Sequence, residues 1–256
     1  MTSLERRQAI LSILNARDTI RVAELSERLE VSDVTIRKDL AFLGEQGYLE
    51  RTHGGAVLAE RVEPHRTLAA RIATRTEAKH AIATQARTMI NHGETIYLDS
   101  GSTCAALAHE VAGMELRVVT NSLQVLSHLA DRPGIALFVV GGSYRHDAGS
   151  FIGPWADSAI RSVQVDHAFL GATGVSYSGR FSSQNNIESQ FKRSVVATAR
   201  SSVALVDRSK IGVQAFSVFA DADEIGVLVT DGDADQCRRL EGAGLHVVRV
   251  TPYEEE

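Results

Sequence analysis

Cysteine is scarce in this chain: Cys104 and Cys237 are the only two among 256 residues, and they lie far apart without CxxC spacing. The opening stretch MTSLERRQAI lacks the apolar core of a signal peptide, so we expect a cytoplasmic protein whose two thiols are reduced and buried. The nine histidines are scattered, without HExxH or paired Cys/His spacing, which predicts that no metal is bound. No apolar run approaches the length of a membrane span, so we expect no membrane partner.

Positive net charge is lacking as well, because the formal net charge at pH 7 is -5. This excludes a protein that coats nucleic acid over its whole surface. It leaves room for a protein that concentrates its cations on one small face, since binding depends on the local field. The length fits one large domain or a small domain followed by a medium one.

Residues 4–47 place apolar residues at spacings of three and four, the period of helices that bury one face. The pattern predicts three short helices, with Ser32 capping the third and Gly47 ending it. The stretch YLERTHGGAVLAE that follows predicts a strand, a turn and a returning strand. Three helices and a hairpin are typical of a winged helix-turn-helix domain, which we predict over residues 1–58.

The third predicted helix carries polar and basic residues on its outer face. Thr35, Arg37 and Lys38 occupy positions that a recognition helix uses on base edges and adjoining phosphates. Arginine is the commonest specific reader of guanine in the major groove. Arg51 and His53 on the hairpin would reach a flanking phosphate or the minor groove. The alternative is an ordinary solvated helix face.

The composition and periodicity of the sequence change after the predicted hairpin. Residues 59–75 are polar and contain four arginines, which predicts a linker that becomes partly helical. From residue 76 onward, apolar strands alternate with helical segments. This alternation predicts an α/β domain over residues 76–256, with a mostly parallel sheet covered on both faces. In such sheets ligands bind at the carboxyl ends of the strands, where the strand order reverses.

Three consecutive predicted strands end in small polar residues or glycines. Hydroxyls and free amides at a helix N-terminus favour an anion such as phosphate, whereas each turn by itself fits an ordinary strand-to-helix connection. Taken together they predict a binding site. The stretch lacks the GxxxxGK[ST] pattern, so we expect neither a nucleoside triphosphatase nor a bound cofactor. The residues concerned are Asp99, Ser100, Gly101, Ser102, Thr103, Asn121, Ser122, Gly141 and Gly142.

Two lysines follow later in the chain. Glu188 and Lys192 are four residues apart on a predicted helix, which fits a surface ion pair worth about 0.3–0.5 kcal/mol. Alternatively, Lys192 and Lys210 supply positive charge to a bound phosphate while nearby carboxylates take sugar hydroxyls. Lys210 is the stronger candidate because it follows a predicted strand end directly.

At these residues the sequence resembles the DeoR family of bacterial transcriptional regulators over nearly the whole chain. The amino-terminal stretch that carries the resemblance is VAELSERLEVSDVTIRKDLAFLGEQGYLERTHGGAV. The later stretches are YLDSGST, VVTNS, VGGSYR, DHAFLGATGV and VALVDRSKIG. The resemblance implies a winged helix-turn-helix followed by a sensor domain with a ribose-5-phosphate-isomerase-like fold. It also implies a regulator, usually a repressor, that binds operator DNA, senses a phosphorylated sugar and works as a homo-oligomer, a dimer or a tetramer.

The resemblance also assigns individual residues. One position departs from the family pattern: Lys38 stands where the family more often has arginine, and because lysine cannot form a bidentate fork we expect it to contact a phosphate. The stretch GRFSSQNNIESQFK is particular to this sequence, and we expect it to influence which effector binds. By position, the DNA contacts are Ser32, Thr35, Arg37 and Lys38. The effector contacts are Asp99 to Thr103, Thr120, Asn121, Ser122, Gly141, Gly142, Lys192 and Lys210.

An enzyme remains the alternative: a sugar-phosphate isomerase with an accessory DNA-binding domain. Glu188, Asp99 or Asp207 would then act as the base, since carboxylates are suited to proton abstraction. The recognition helix favours the regulator, because an isomerase gains nothing from it. We therefore expect no enzymatic activity and assign no catalytic residue.

Overall fold

The computed structural model describes residues 6–7, 9–10, 13, 19–45, 49–52, 54–58 and 68–251. Its chain divides into two compact units, Met1–Arg61 and Val62–Glu256. This division falls inside the segment that the sequence predicts to be a linker. Within the described part of the chain, no helix has both the length and the apolar character needed to cross a membrane.

The amino-terminal unit combines short helices with a small antiparallel sheet. Residues 6, 7, 9, 10 and 13 are helical, as expected for the first predicted helix. Its other elements are β1 (Thr19–Arg21), α1 (Val22–Leu29), α2 (Asp33–Glu45), β2 (Leu49–Thr52) and β3 (Gly55–Leu58).

The sheet of this unit has the order β1-β3-β2. The predicted hairpin is present as β2 and β3, which pair in antiparallel fashion. Strand β1, which pairs with β3, is absent from the sequence prediction because three residues are too few to show an alternating pattern. Ile10, Leu25, Ile36 and Leu40 are buried together beneath these elements. Gly47, the predicted helix stop, lies outside the described residues.

The carboxy-terminal unit alternates strands and helices throughout. Its helices are α3 (Leu68–Ile72), α4 (Thr76–Arg87), α5 (Ser102–Val111), α6 (Leu123–Leu129), α7 (Pro154–Ile160), α8 (Asn186–Thr198) and α9 (Ala234–Gly242), with 3-10 turns at Arg208–Lys210 and Ala222–Glu224. Its strands are β4 (Thr95–Leu98), β5 (Leu116–Thr120), β6 (Ile135–Val139), β7 (Ser143–Arg145), β8 (Ser150–Ile152), β9 (Val165–Leu170), β10 (Gly174–Val175), β11 (Phe181–Ser183), β12 (Ala199–Leu205), β13 (Ser217–Ala220), β14 (Val227–Thr230) and β15 (Val247–Arg249).

Seven of these strands form one sheet in the order β15-β14-β12-β9-β4-β5-β6, and every neighbouring pair is parallel. The predicted parallel α/β fold is therefore confirmed. Tyr97 packs into one hydrophobic cluster, and its neighbours Ile96 and Leu98 pack into another. Because successive side chains of a strand point to opposite faces, the two clusters lie on the two sides of the sheet.

The strand order reverses between β4 and β9. From β4 the chain continues outward through β5 and β6, whereas β9, β12, β14 and β15 extend the sheet in the other direction. A crevice opens beyond the carboxyl ends of the strands at such a point, and ligands bind there. Asp99 directly follows β4, and Gly171 directly follows β9. The architecture thus brings these two residues to the same place.

Several short elements were not predicted from the sequence. Strands β7 and β8 form a separate hairpin, and β10, β11 and β13 form a small antiparallel sheet. Each has two to four residues, which is too short for a clear periodicity. Helix α3 lies within the segment predicted to be a partly helical linker. It is held to the sensor unit by Leu68, whose side chain is buried and whose amide donates to the carbonyl of Asp147 at 3.0 Å.

Candidate DNA-binding helix and effector site

Helix α2 begins with the cap that the sequence predicts. The Oγ of Ser32 accepts a hydrogen bond from the amide of Thr35 at 3.3 Å, and the carbonyl of Ser32 accepts from the amide of Ile36 at 3.1 Å. The hydroxyls of Ser32 and Thr35 also lie within hydrogen-bond distance of each other, at 2.9 Å. The cap therefore fixes the start of the helix that carries the predicted DNA contacts.

The two faces of α2 differ sharply. Ile36 and Leu40 are fully buried, while Arg37 and Lys38 are exposed and form no ion pair with any residue that the structure describes. Val34 is 63% exposed beside them. An exposed valine one helical turn before the two basic residues suits contact with a thymine methyl group, and the sequence reasoning did not consider it. This face can meet both bases and phosphates.

Asp39 is a buried acid on the inner face of α2, at 2% exposure. Its carboxylate accepts hydrogen bonds from Nε of Arg6 at 2.5 Å and Nε of Arg7 at 2.8 Å. The guanidinium of Arg7 also lies over the ring of Phe42, 3.7 Å from its centroid. Asp39 therefore ties α2 to the start of the chain. Sequence reasoning missed it because a charged residue on an amphipathic helix is usually solvated.

The hairpin contacts predicted from the sequence are less fully described. The backbone of Arg51 lies in β2, opposite Ala56 of β3, and its side chain is outside the described part of the structure. His53 lies outside the described residues altogether. Both assignments therefore stay predictions.

The switch point of the large sheet holds a buried ion pair. Nζ of Lys192, on α8, lies 2.7 Å from Oδ2 of Asp99 and donates to the carbonyl of Gly171 at 2.7 Å. The same carboxylate oxygen accepts from the amide of Gly171 at 3.0 Å. Asp99 is fully buried and Lys192 is 2% exposed. Lys192 also lies 3.4 Å from Glu188, but this is not the surface ion pair that the sequence allowed.

Burial opposes charge on both members of this pair. It raises the pKa of the Asp99 carboxyl, although Lys192 and the amide of Gly171 pull in the other direction. Burial would likewise lower the pKa of Lys192, but attraction to Asp99 and Glu188 outweighs it, and the pKa of Lys192 is raised. Since Nζ donates to two oxygens at 2.7 Å, we assign Lys192 as an ammonium ion and Asp99 as its carboxylate partner.

Tyr97 joins neighbouring strand ends. Its hydroxyl donates to Oδ1 of Asn121 at 2.8 Å and lies 3.4 Å from Oδ1 of Asp99. Asn121 in turn donates through Nδ2 to the carbonyl of Phe151 at 3.0 Å. Burial, reinforced by the charge of Asp99, raises the pKa of the Tyr97 phenol, which stays neutral and acts as a donor. Tyr97 was missed because its alternating apolar neighbours give it the pattern of a core residue.

Thr120 and Ser122 are buried and bonded within the protein. Oγ1 of Thr120 donates to the carbonyl of Leu98 at 2.7 Å and accepts from the amide of Ser122 at 3.0 Å. Oγ of Ser122 accepts from the amide of Val125 at 3.3 Å and caps α6. These hydroxyls shape the end of β5, and their role as effector contacts stays a prediction.

The start of α5 provides amides for an anion. Gly101 has φ of 136°, a conformation that side chains other than glycine rarely adopt. Its carbonyl accepts from the amide of Ala105 at 2.9 Å and begins the helix. The amides of Ser102, Thr103 and Cys104 have no acceptor among the described residues, and no side chain caps this end. Unsatisfied donors at the positive end of a helix suit an anion, and a role of these amides in effector binding stays a prediction.

A second charged group borders the ion pair. Nη1 of Arg145 donates to Oε2 of Glu188 at 2.7 Å, and Nε of Arg145 donates to Oδ1 of Asp147 at 3.2 Å. Burial works against the charge of Arg145, but these two carboxylates more than offset it and raise its pKa. The sequence reasoning named neither Arg145 nor Asp147, because β7 and the turn after it were not predicted.

The two predicted glycines precede β7. Gly141 is exposed and Gly142 is half-buried. A Cβ at Gly142 would lie 2.6 Å from the carbonyl oxygen of Ile152, so close packing against β8 excludes a larger residue there. The structure therefore gives Gly142 a packing role, while an effector contact at either glycine stays a prediction.

Lys210 lies in a turn beyond the end of β12. Asp207 caps this turn by accepting from the amide of Ser209 at 3.0 Å, and its carboxylate lies 3.9 Å from Nε of Arg75. Nearby, Nζ of Lys79 donates to the carbonyls of Arg71 and Thr74.

Lys79 shows that this side of the unit is strongly basic. Burial lowers its pKa to about 8; Asp207 opposes this shift, and Lys210, Arg71 and Arg75 add to it. The sequence reasoning singled out Lys210 but missed Lys79, whose position on an amphipathic helix resembles that of any surface lysine.

Metal and thiol chemistry find no support in the part of the chain that the structure covers. There, no group of three or more His, Cys, Asp or Glu side chains is arranged to hold a metal ion. Cys104 and Cys237 are both unpaired and buried, as expected. Burial raises the pKa of the Cys104 thiol, whose Sγ lies 3.6 Å from the carbonyl of Phe169. Such a thiol is unreactive.

A capped helix with an exposed basic face, followed by a parallel α/β unit with a charged switch point, fits a DNA-binding regulator with a sensor domain. Comparison with known families agrees: residues 6–62 match the DeoR-like helix-turn-helix domain, and residues 74–232 match the DeoR C terminal sensor domain. The chain belongs to the DeoR family of transcriptional regulators.

Individual relatives align over nearly their whole length. The HTH-type transcriptional regulator GolR of Listeria innocua is 34% identical over 96% of this chain and 98% of its own. The HTH-type transcriptional repressor GlcR of Bacillus subtilis is 31% identical, over 98% and 97%. The lactose phosphotransferase system repressor of Streptococcus mutans is 32% identical, over 94% and 97%. Among solved structures, ribose 5-phosphate isomerase A of Methanocaldococcus jannaschii is 21% identical over 54% of this chain and 55% of its own, with a TM-score of 0.40.

Proposed function

We propose that this regulator is a repressor of a carbohydrate-metabolism operon, and that a phosphorylated sugar bound in the carboxy-terminal unit controls its operator binding. The observation that carries the proposal is the tandem match to a DeoR-like helix-turn-helix domain and a DeoR sensor domain within one chain. The names of two relatives, a transcriptional repressor and a lactose phosphotransferase system repressor, support repression and a sugar context.

On the DNA side, α2 acts as the recognition helix. Arg37 reads a base edge, Lys38 contacts a phosphate, and the hydroxyls at the helix start contact the backbone beside them. Exposure of both cations without a described partner supports these roles. The proposed DNA contacts are Ser32, Thr35, Arg37, Lys38, Arg51 and His53.

On the effector side, the unsatisfied amides at the start of α5 favour the phosphate group, and Lys210 adds positive charge. Lys192 already donates to Asp99, so it contributes charge and orients that carboxylate toward the sugar. Buried hydroxyls of Thr120 and Ser122 hold the neighbouring strand end in place. The proposed effector contacts are Asp99, Ser100, Gly101, Ser102, Thr103, Thr120, Asn121, Ser122, Gly141, Gly142, Lys192 and Lys210.

We further propose that the protein binds its sugar without converting it. The carboxylates that could serve as a base are engaged: Asp99 with Lys192, Glu188 with Arg145, and Asp207 with the amide of Ser209. Incubation with pentose and hexose phosphates should therefore give no new sugar phosphate in a chromatographic assay. Turnover of any of them would favour the isomerase alternative.

The proposal includes an assembly and a location. A single small DNA-binding domain makes few contacts, and two linked domains gain operator affinity by effective concentration. We therefore propose a homo-oligomer, a dimer or a tetramer. We place it in the cytoplasm. We propose residues 1–58 as the DNA-binding domain, 59–75 as the linker and 76–256 as the sensor. The oligomer needs no cofactor for these roles.

Two measurements on the full chain test the proposal. Selection from a random duplex library should enrich a defined operator sequence, and a thermal-shift screen should find at least one phosphorylated sugar that raises Tm while its unphosphorylated form does not. Failure to enrich any sequence would contradict the DNA-binding role. A screen in which only free sugars or unrelated anions raise Tm would contradict the effector class.

A further inference from the structure

Arg71 stands out because of the surroundings of its guanidinium group. Its Nε is buried and makes no hydrogen bond, and its guanidinium forms no ion pair within 4.0 Å among the residues that the structure describes. Burying a charged group without a partner is costly, and native proteins usually avoid it. Burial accordingly lowers the pKa of Arg71, although neighbouring carboxylates oppose the shift. An unfavourable burial of this kind indicates that the guanidinium has a function in binding.

The backbone around Arg71 is held firmly in the sensor unit. At one end of α3, the amide of Leu68 donates to the carbonyl of Asp147 at 3.0 Å. The side chain of Leu68 is buried against Gly149, where an added Cβ would lie 2.7 Å from Cδ2 of the leucine. At the other end, Nζ of Lys79 donates to the carbonyl of Arg71 itself. The guanidinium therefore projects from a fixed helix.

Arg71 belongs to the charged cluster of the effector site. It interacts electrostatically with Glu188, Asp147 and Asp99, all of which lie at or beside the switch point. Each of these acids already has a cation, because Lys192 pairs with Asp99, and Arg145 pairs with both Glu188 and Asp147. Arg71 is the third cation beside these three acids, and it is the one whose Nε has no hydrogen-bond acceptor among the described residues.

We propose that Arg71 binds the phosphate group of the effector directly and thereby links the ligand to helix α3. The inference rests on the proposed function and adds to it a residue that family resemblance did not assign. A planar guanidinium forms two parallel hydrogen bonds to phosphate, and this geometry suits a fixed cation better than a flexible lysine would. The bound phosphate then accepts from the Nε that has no acceptor among the described residues.

The position of Arg71 in the chain gives this contact a regulatory consequence. Only residues 62–67 separate α3 from the end of the amino-terminal unit at Arg61. A ligand that engages Arg71 adds a contact to the helix from which the chain runs back to that unit. An effector changes DNA affinity only by favouring one arrangement over another, and this contact provides such a preference.

Isothermal titration calorimetry of the full chain tests the contact. The probes are ribose 5-phosphate, glucose 6-phosphate, fructose 6-phosphate, galactose 6-phosphate and inorganic phosphate. Losing charge-assisted hydrogen bonds should weaken the binding of an active probe by about 10- to 100-fold in Arg71→Gln. Arg117→Gln is the matched control, since Arg117 is an exposed arginine at the opposite, amino end of β5, and it should bind like the parent protein.

The melting temperature without ligand separates a binding role from a structural one. Because the Nε of half-buried Arg71 has no acceptor among the described residues, Arg71→Gln should leave the Tm of the ligand-free protein unchanged or higher, whereas loss of a structural residue lowers it. If Arg71→Gln has a lower Tm than the parent protein, Arg71→Lys is measured as well. A parent-like Tm with weakened ligand binding in Arg71→Lys supports the phosphate contact. Parent-like ligand binding or a lowered Tm in Arg71→Lys overturns it.

The outcomes also separate this inference from the proposed function. If the parent protein binds a sugar phosphate and Arg71→Gln binds it equally well, the role of Arg71 is overturned while the sugar-phosphate sensor stands. If the parent protein binds none of the probes, the proposed effector class fails, and the role of Arg71 fails with it.

Discussion

Arg37 and Lys38 are adjacent on α2, yet they are expected to do different work. We predict that Arg37→Ala loses more affinity for the selected operator than for random duplex DNA. The lost base contact should cost about 1–3 kcal/mol and relax the preference at one base pair. A lost base contact affects only the sequence that it reads. Fluorescence anisotropy with both DNAs measures the difference, and equal losses on both would leave Arg37 with a phosphate contact only.

Lys38→Ala should weaken binding to operator and random DNA by similar factors. Each phosphate contact releases counterions, so the slope of log affinity against log salt should become shallower by about one unit. A salt titration of the parent protein and the variant makes the comparison. An unchanged slope would mean that Lys38 does not contact the backbone.

The ion pairs of Asp39 contribute to the stability of helix α2. Asp39→Ala removes the acceptor of Arg6 and Arg7 and should destabilise α2 by about 1–3 kcal/mol, because the two arginines keep some access to solvent. Hydrogen exchange of peptides from α2 should accelerate accordingly. Glu27→Ala, at an exposed position of α1, serves as the control and should leave exchange unchanged. Unaltered exchange in Asp39→Ala would remove the ion pairs from the account of this unit's stability.

Long elements with a regular pattern could be predicted from the sequence, and short or irregular ones could not. The seven parallel strands follow from apolar runs alternating with helices, and the cap at Ser32 follows from its hydroxyl. Strand β1 and the hairpin of β7 and β8 have only three residues per strand, so they show no period.

The candidate effector site could also be predicted only in part, because its ion pairs join residues that are distant in the sequence. Asp99 could be identified because it follows a strand directly. Lys192 was named as a source of charge, but its ion pair with Asp99 depends on how α8 packs over the sheet. The unpaired state of Arg71 is likewise a property of the folded environment, since nothing in its local sequence differs from a polar linker. Contacts between distant segments are not encoded in any local period.

The assembled molecule should carry more than one reading head. We predict a homo-oligomer held together mainly through the sensor unit, because linked heads bind an operator with far higher effective concentration than separate ones. Light scattering at micromolar concentration should report at least a dimer, with and without operator DNA. A monomer in the presence of operator would contradict this prediction.

Binding of a phosphorylated sugar is proposed to change the affinity of this protein for operator DNA. The operator Kd measured with and without the sugar tests this coupling. A phosphate monoester carries about two negative charges, and the proposed contacts at the start of α5 and at Lys210 would favour them. We expect at least one phosphorylated sugar to change the operator Kd of the parent protein by about 5- to 150-fold, with no such change from its unphosphorylated form. Lys210→Ala should lose this response while keeping nearly the parent affinity for operator without sugar. An operator Kd that ignores every sugar phosphate, but changes with free sugars or another anion, would contradict the account.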